Sequence, residues 1–379
     1  RVRIMNVEPR PTDSAVDFPC SKCGAPELAW DASHRKLVCP YCGHRMDVPA
    51  GVEAGRTAHY ERPLHEGLAR IAQGGGGLVV QRRVSRCQNC GATVSFAEAQ
   101  IASRCDFCGS DQVLEAASSD RQITPQALVP FFVEQAEAQA KFRGWLHGLW
   151  FRPNALKKQA EVGAIAGVYV PYWTFDANVA SRWTAQAGYY YYVTVRYTAY
   201  ENGKSVQRTR QERRTRWEPA SGSRRDRYDD VLVVASRGLP EKLADRMTTF
   251  DTRALVPYDP RYLAGWRAEE YAVELDAASQ SGRQRIVAEQ KRRCARDVPG
   301  DTHRSLQVQN TIADETFKHV LLPLWIASYR FKDKPYRFLV NGQTGEVTGE
   351  APWSWIKIAL LVLVLAAAAF GLFYASQAR

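Results

Sequence analysis

Eight of the nine cysteines in this 379-residue chain fall into four C-x-x-C-G knuckles, a pattern that gathers thiolates around a metal ion. Cys20 and Cys23 are followed, after fifteen residues, by Cys39 and Cys42; Cys87 and Cys90 are followed, after fourteen, by Cys105 and Cys108. A C-x-x-C turn puts two sulfurs on one side of the chain. The glycine behind it takes the positive φ that aims backbone N–H groups at them. Two such turns joined by a short hairpin complete a tetrahedron, so the spacing predicts two structural Zn²⁺ ions, each with a closed, four-thiolate shell. Metal binding would then supply most of the folding free energy of each stretch of about thirty residues. His44 follows a full shell and is expected to be a solvated side chain. Cys39-Pro-Tyr-Cys42 has the wording of a glutaredoxin dithiol, but it lacks the preceding strand and following helix that would lower a thiol pKa. Cys294, alone in a basic helical stretch, reads as an incidental free thiol.

Other chemistry is not expected. No P-loop, H-E-x-x-H, G-x-S-x-G or dinucleotide fingerprint is present, and Gly74–Gly77 reads as a hinge because no G-K-[ST] follows it. Asp176, Asp251 and Asp259 are isolated acids with no evident base, so the chain is not expected to be an enzyme. Charge bears on nucleic acid. The formal total is +11, yet residues 1–120 balance 14 basic against 14 acidic side chains. Eight thiolates and two Zn²⁺ would take that part to about −4. The ribbons therefore lack the cationic cluster that duplex binding requires, and nucleic acid is not expected as a partner. The basic excess lies in residues 121–379. It includes Arg208–Arg227, with eight arginines against three acids, which reads as a solvated strand edge or a contact for an acidic partner or anionic lipid.

The elements that must position these residues divide the chain as follows. Residues 1–16 are an N-terminal tail, 17–50 the first ribbon, 51–83 a linker with a short helix at Leu64–Ala72, and 84–114 the second ribbon. An amphipathic helix is expected over 132–148 and a second helical piece over 155–164. Strands follow over Gly188–Tyr200 and Ser205–Trp217, turned at Glu201-Asn202-Gly203. Ala127-Leu-Val-Pro130-Phe131 is echoed by Ala254-Leu-Val-Pro257-Tyr258, Phe142-Arg-Gly-Trp145 by Leu263-Ala-Gly-Trp266, and Val168-x-x-Pro171-x-Trp173 by Val320-x-x-Pro323-x-Trp325. Three echoes in one order predict a duplicated α+β module with antiparallel hairpins, 123–253 and 254–352. A final hairpin is expected at Asn341-Gly342. Within 354–376, residues 356–375 are predominantly apolar for about 30 Å of helix, preceded by Trp353 and Trp355. They read as one C-terminal transmembrane helix, and with no secretory signal at the N-terminus the bulk of the chain would be cytoplasmic.

Two C-x-x-C-G ribbons, Val168-Tyr-Val-Pro-Tyr-Trp-Thr-Phe-Asp176, Val320-Leu-Leu-Pro-Leu-Trp325, Phe338-Leu-Val-Asn-Gly-Gln-Thr-Gly-Glu-Val347 and a terminal helix together resemble a bacterial family. These are the tail-anchored TFIIB-type zinc-ribbon membrane proteins, often labelled primosomal protein N′ or PriA-like helicases and associated with phage-shock-type envelope stress systems. The resemblance covers nearly the whole chain. It implies a scaffold or adaptor at the bacterial inner membrane that contacts membrane lipid. Its protein partners would be PspA-like, ESCRT-III-related or SPFH proteins, in a homo- or hetero-oligomer. The alternative is a membrane-tethered nucleic-acid binder of the kind the helicase label names, although no nucleotide-binding motif accompanies that label.

Overall fold

Valine, tyrosine, tryptophan and threonine crowd residues 165–200, and such residues suit a pleated, half-buried surface. They form the spine of the protein in a computed structural model that describes residues 19–26, 28–48, 60–73, 83–95, 105–110, 112–117, 123–154, 165–201, 204–247, 249–331 and 334–377. The expected tail at 1–16, the Gly74–Gly77 hinge, the helical piece at 155–164 and the tip Asn202-Gly203 lie outside those residues.

The first ribbon is a three-stranded sheet, β1 (Ala29–Asp31), β2 (Lys36–Val38) and β3 (Arg45–Met46). Next come β4 (Arg62–Pro63), α1 (Leu64–Ala72), and the second ribbon's strands β5 (Arg83–Cys87), β6 (Thr93–Ser95) and β7 (Val113–Ala117). The remainder runs β8 (Ala127–Leu128), α2 (Gln135–Gly148), β9 (Ala166–Glu201), β10 (Lys204–Val234), α3 (Glu241–Ala244), β11 (Val256–Pro257), β12 (Arg267–Glu269), α4 (Leu275–Asp297), β13 (Thr302–Phe331), β14 (Lys334–Asn341), β15 (Val347–Gly349) and α5 (Trp355–Gln377).

Twelve of these strands make one mixed sheet. Its main path is β11-β8-β13-β9-β12-β6-β5-β7, with β10 on β9, β14 on β13, β15 on β14, and β4 on β13. The β13–β8 and β12–β9 pairs are parallel and the other pairs antiparallel. The fold expectation is therefore corrected. Instead of two α+β modules in series, the chain is mostly one large mixed sheet with few helices. The echoed segments pair with each other inside it: Val256 lies opposite Leu128, and Pro323 opposite Tyr169. Leu263-Ala-Gly-Trp266 ends a short 3-10 turn, whereas Phe142–Trp145 is helical. The sheet outruns the expected hairpin because α4 covers it. Leu275, Ala278, Gly282, Ile286, Gln290 and Cys294 form one buried helical face. At Gly282 a Cβ would come within 2.7 Å of the Phe175 ring, so the close approach needs glycine.

The anchor is the second correction. Among the described residues no helix is long and apolar enough to cross a membrane, so the single-pass anchor and the inner-membrane location built on it are withdrawn. Helix α5 does form. Lys357 in its first turn points its ammonium back to the Trp150 carbonyl (2.9 Å) and Asn154 Oδ1 (2.7 Å).

Three long-strand irregularities bend the spine. The pairing shifts at Tyr228/Val231, Arg304/Gln307 and Ala313/Thr316, and Asp230, Ser305 and Asp314 take positive φ there. These are bulges whose extra residue is left-handed, a conformation that short polar side chains tolerate through local bonds. The Asp230 N–H donates to Asp176 Oδ1 at 2.8 Å, and Asn178 donates to Asp314 at 2.9 Å.

Candidate metal centres

Each knuckle is built the same way from the backbone up. The N–H of the first cysteine donates to the carbonyl five residues on (Cys20 to Ala25, Cys39 to His44, Cys87 to Ala92, Cys105 to Ser110), at 2.8–2.9 Å. The fourth following residue then donates back to that cysteine's carbonyl, and the glycine doing so has φ between 69° and 79° at Gly24, Gly43, Gly91 and Gly109. A Cβ at that φ would be strained, which is why glycine recurs there.

The turns bring the sulfurs into two groups of four, Cys20, Cys23, Cys39, Cys42 and Cys87, Cys90, Cys105, Cys108, all mutually within 4.8 Å. The paired separations are 3.6 Å for Cys20–Cys42, 3.7 Å for Cys23–Cys39, and 3.6 Å for both Cys87–Cys108 and Cys90–Cys105. A regular tetrahedron with Zn–S of about 2.3 Å has edges of about 3.8 Å, so both clusters could hold a metal ion and their size is consistent with zinc. The Cys90 thiol and burial together hold Cys105 above the ordinary thiol range and burial raises Cys87, whereas hydrogen bonds from Asn89 and the backbone outweigh burial and lower Cys108. A divalent cation reverses that penalty. His44 stands outside the first group of ligands.

The surroundings differ. The second ribbon is part of the main sheet, because β6 pairs with β12 and β12 with β9. Its cysteines 87, 105 and 108 are buried with Phe107, and Asn89 donates its amide to Cys108 Sγ at 3.5 Å. Arg267 of β12 forms an ion pair with Asp106 between the last two ligands. The first ribbon keeps its own small sheet and docks by Trp30. Its indole N–H donates to the Phe131 carbonyl, Trp266 donates to the Trp30 carbonyl, and the Trp30 N–H donates to Ala264, each at 3.1 Å. Cys23 and Cys42 remain exposed there.

Core membership fixes the arrangement. Cys87, Cys105 and Cys108 share a cluster with Val168, Val170 and Tyr172 of β9 and Leu322 and Leu324 of β13. Cys20, Trp30 and Cys39 share another with Tyr169, Leu321 and Trp325. Successive side chains of a strand point to opposite faces, so the two ribbons cover opposite faces of the same two strands.

One relative can be placed beside this geometry. The chain is similar to uncharacterized protein YdjG of Bacillus subtilis (strain 168). The two are 25% identical over 240 residues, which is 62% of this chain and 66% of the relative, just under two thirds of its length. No family model matches the chain, and no solved structure matches it.

A third polar group escaped the sequence. Glu61, Asp176 and Asp230 converge, and the cation among them is Lys318, only 2% exposed, whose ammonium lies 2.5 Å from Glu61 and 2.8 Å from Asp230. Burial raises the Asp176 carboxyl to about 7, with the Glu61 and Asp230 charges adding to it. The buried Glu269 carboxyl is likewise pushed up to about 8 by burial, while it accepts a 2.7 Å bond from Ser236. Residues 61 and 318 lie too far apart in sequence for any local pattern to join them. Asp251 and Asp259, singled out as isolated acids, instead cap 3-10 turns by accepting from the N–H of Arg253 and Arg261. Cys294 is buried against Trp183, Ala185 and Val298.

Proposed function

We propose that each cluster holds one structural Zn²⁺ and that the chain is a scaffold or adaptor for protein partners, PspA-like or SPFH proteins being the class the family resemblance implies. The observation that carries this reading is the arm formed by β9 and β10. β13 accompanies β9 only as far as Gly188, whereas β9 and β10 go on pairing to Glu201 and Lys204, thirteen residues further along β9. At about 3.3 Å per residue this two-stranded arm reaches about 40 Å past the third strand. An arm of that length buries little of its own surface; its use is to present surface to something else. The tetrathiolate clusters support the same reading, because a shell filled by four protein ligands leaves no position for substrate or water.

Two measurements test it. Metal analysis of the purified chain should give about two zinc ions, and one or none would remove the metal assignment. Size-exclusion chromatography with light scattering, on the chain mixed with a purified PspA-like or SPFH protein at about 10 μM, should show a stable complex. Absence of a complex with both would sink the scaffold reading.

A further inference from the structure

The arm has a particular chemistry. Directly opposed residues of an antiparallel pair share a face. Tyr189/Arg216, Tyr191/Arg214, Val195/Arg210 and Tyr197/Arg208 line one face, and Tyr192/Arg213 lies on the other. Guanidinium groups lie over tyrosine rings, Arg213 on Tyr190 at 4.3 Å and Arg210 on Tyr197 at 5.7 Å. Tyr189 is half-buried, and the rings beyond it stay in solvent, from 37% exposure at Tyr190 to 81% at Tyr200. Between Lys204 and Trp217 five arginines and one lysine meet a single acid, Glu212, which lies 3.8 Å from Arg210 and 3.7 Å from Arg214. Tyrosine and arginine are the residues that most often carry binding energy at protein interfaces.

The edge is open as well. Among the described residues β10 pairs with β9 and with no other strand, so its outer edge presents alternating N–H donors and C=O acceptors. A second copy of β10 laid along it would set arginine against arginine, which is repulsive. A nucleic acid would bring phosphate acceptors but nothing to donate to the row of carbonyls. An extended peptide offers both groups, and acidic side chains on it would meet the arginines.

We propose that the open edge of β10 between Lys204 and Trp217 receives an acidic, extended segment of a partner protein as an added strand. This deepens the scaffold reading and rests on it.

The test uses the full chain and a fluorescent alternating Glu-Val decapeptide, followed by anisotropy. The peptide should bind, and raising salt should weaken it. A version interrupted by prolines, which cannot complete the ladder, should bind at least about tenfold more weakly. R208Q/R210Q/R213Q/R214Q should lose at least about tenfold, and a variant with residues 193–212 replaced by an Asn-Gly turn should not bind. The shortened arm keeps Tyr190, whose N–H donates to Asp301, and its zinc content reports on folding. No binding of the decapeptide, equal binding of the proline version, or undiminished binding by the shortened arm would overturn the proposal. So would tighter binding of an oligothymidylate than of the peptide, which would make the arm a nucleic-acid surface. If the shortened arm still formed a complex with a PspA-like or SPFH protein, the scaffold reading would stand and this edge would not be its site.

Discussion

The two ribbons share a knuckle and differ in what their cysteines hold up. In the first, Cys23 and Cys42 face solvent, Cys20 and Cys39 pack on the core cluster of Tyr169 and Trp325, and the hydrogen bonds to the body run through Trp30 to Phe131, Ala264 and Trp266. In the second, Cys87, Cys105 and Cys108 belong to the largest apolar cluster, and β6 continues the main sheet through β12. The same four-cysteine knuckle pair thus closes a separate small sheet in one place and part of the main sheet in the other. What separates them is the number of long-range partners, not the ligand set.

Loss of a ligand should expose that difference most strongly. Cys105→Ser is expected to leave the chain without cooperative unfolding at 25 °C, since the metal contribution, on the order of 10 kcal/mol, is lost from the main core. Cys42→Ser should remain folded and retain one zinc. Thermal melts with zinc analysis of both variants check this, and equal damage would erase the distinction.

Protonation comes next. Glu269, opposite Val94 of the second ribbon, has a carboxyl held near 8 in the folded chain against an ordinary value near 4.3. Its raised value favours the protonated form. The stability it contributes is therefore complete below about pH 4.3 and is lost as pH rises through about 8, by at most about 5 kcal/mol. Glu269→Gln should flatten the pH profile in that window and leave the first ribbon unaffected. Denaturant titrations between pH 5 and 9 would show it; an unchanged slope would mean the carboxyl is solvated.

Trp30→Ala should cost about 3–5 kcal/mol by removing a buried aromatic ring. It should also free the first ribbon without disturbing the second, seen as faster hydrogen exchange in residues 28–38 and not in residues 83–95. Gly238→Ala should give the smallest effect, about 1–3 kcal/mol, because its Cβ would come within 2.7 Å of Ala92 and 2.8 Å of Phe107 at the second joint. A stabilised variant would show that this joint has slack.

How much of this was legible beforehand follows sequence distance. The knuckles were legible because four ligands and their glycines lie within about two dozen residues. The helix at Leu64–Ala72 was local too, and so were the β9–β10 and β14–β15 hairpins. The pairing of β9 with β13 was not, since Val168 and Leu324 meet across more than 150 residues and both faces of each strand are buried, which removes the alternation a half-exposed strand would show. For the same reason the echoed Pro-x-Trp segments read as successive modules, whereas they are neighbouring strands. Lys318, buried amid Glu61 and Asp230, carries no local mark of its role. The apolar run after Trp355 errs in the opposite direction: its composition reads as a membrane span, whereas no described helix is long and apolar enough to be one.

One pairing described above sets a timetable. β4 contributes Arg62 and Pro63 to the sheet, and their partners are Phe317 and Thr316. A ribosome adding about 5–20 residues per second needs about 13–50 s to travel between them. Over that interval β4 has no partner strand to join. Cys20 to Cys42 can gather a metal within 23 residues, so the first ribbon is able to close while the spine is still being made. The second can close as locally, since β5, β6 and β7 pair with one another, but it joins the main sheet only through β12. Nascent chains of this protein should therefore pass through a long period with two ordered knobs on an open, strand-rich polymer, the state in which chaperone engagement matters most.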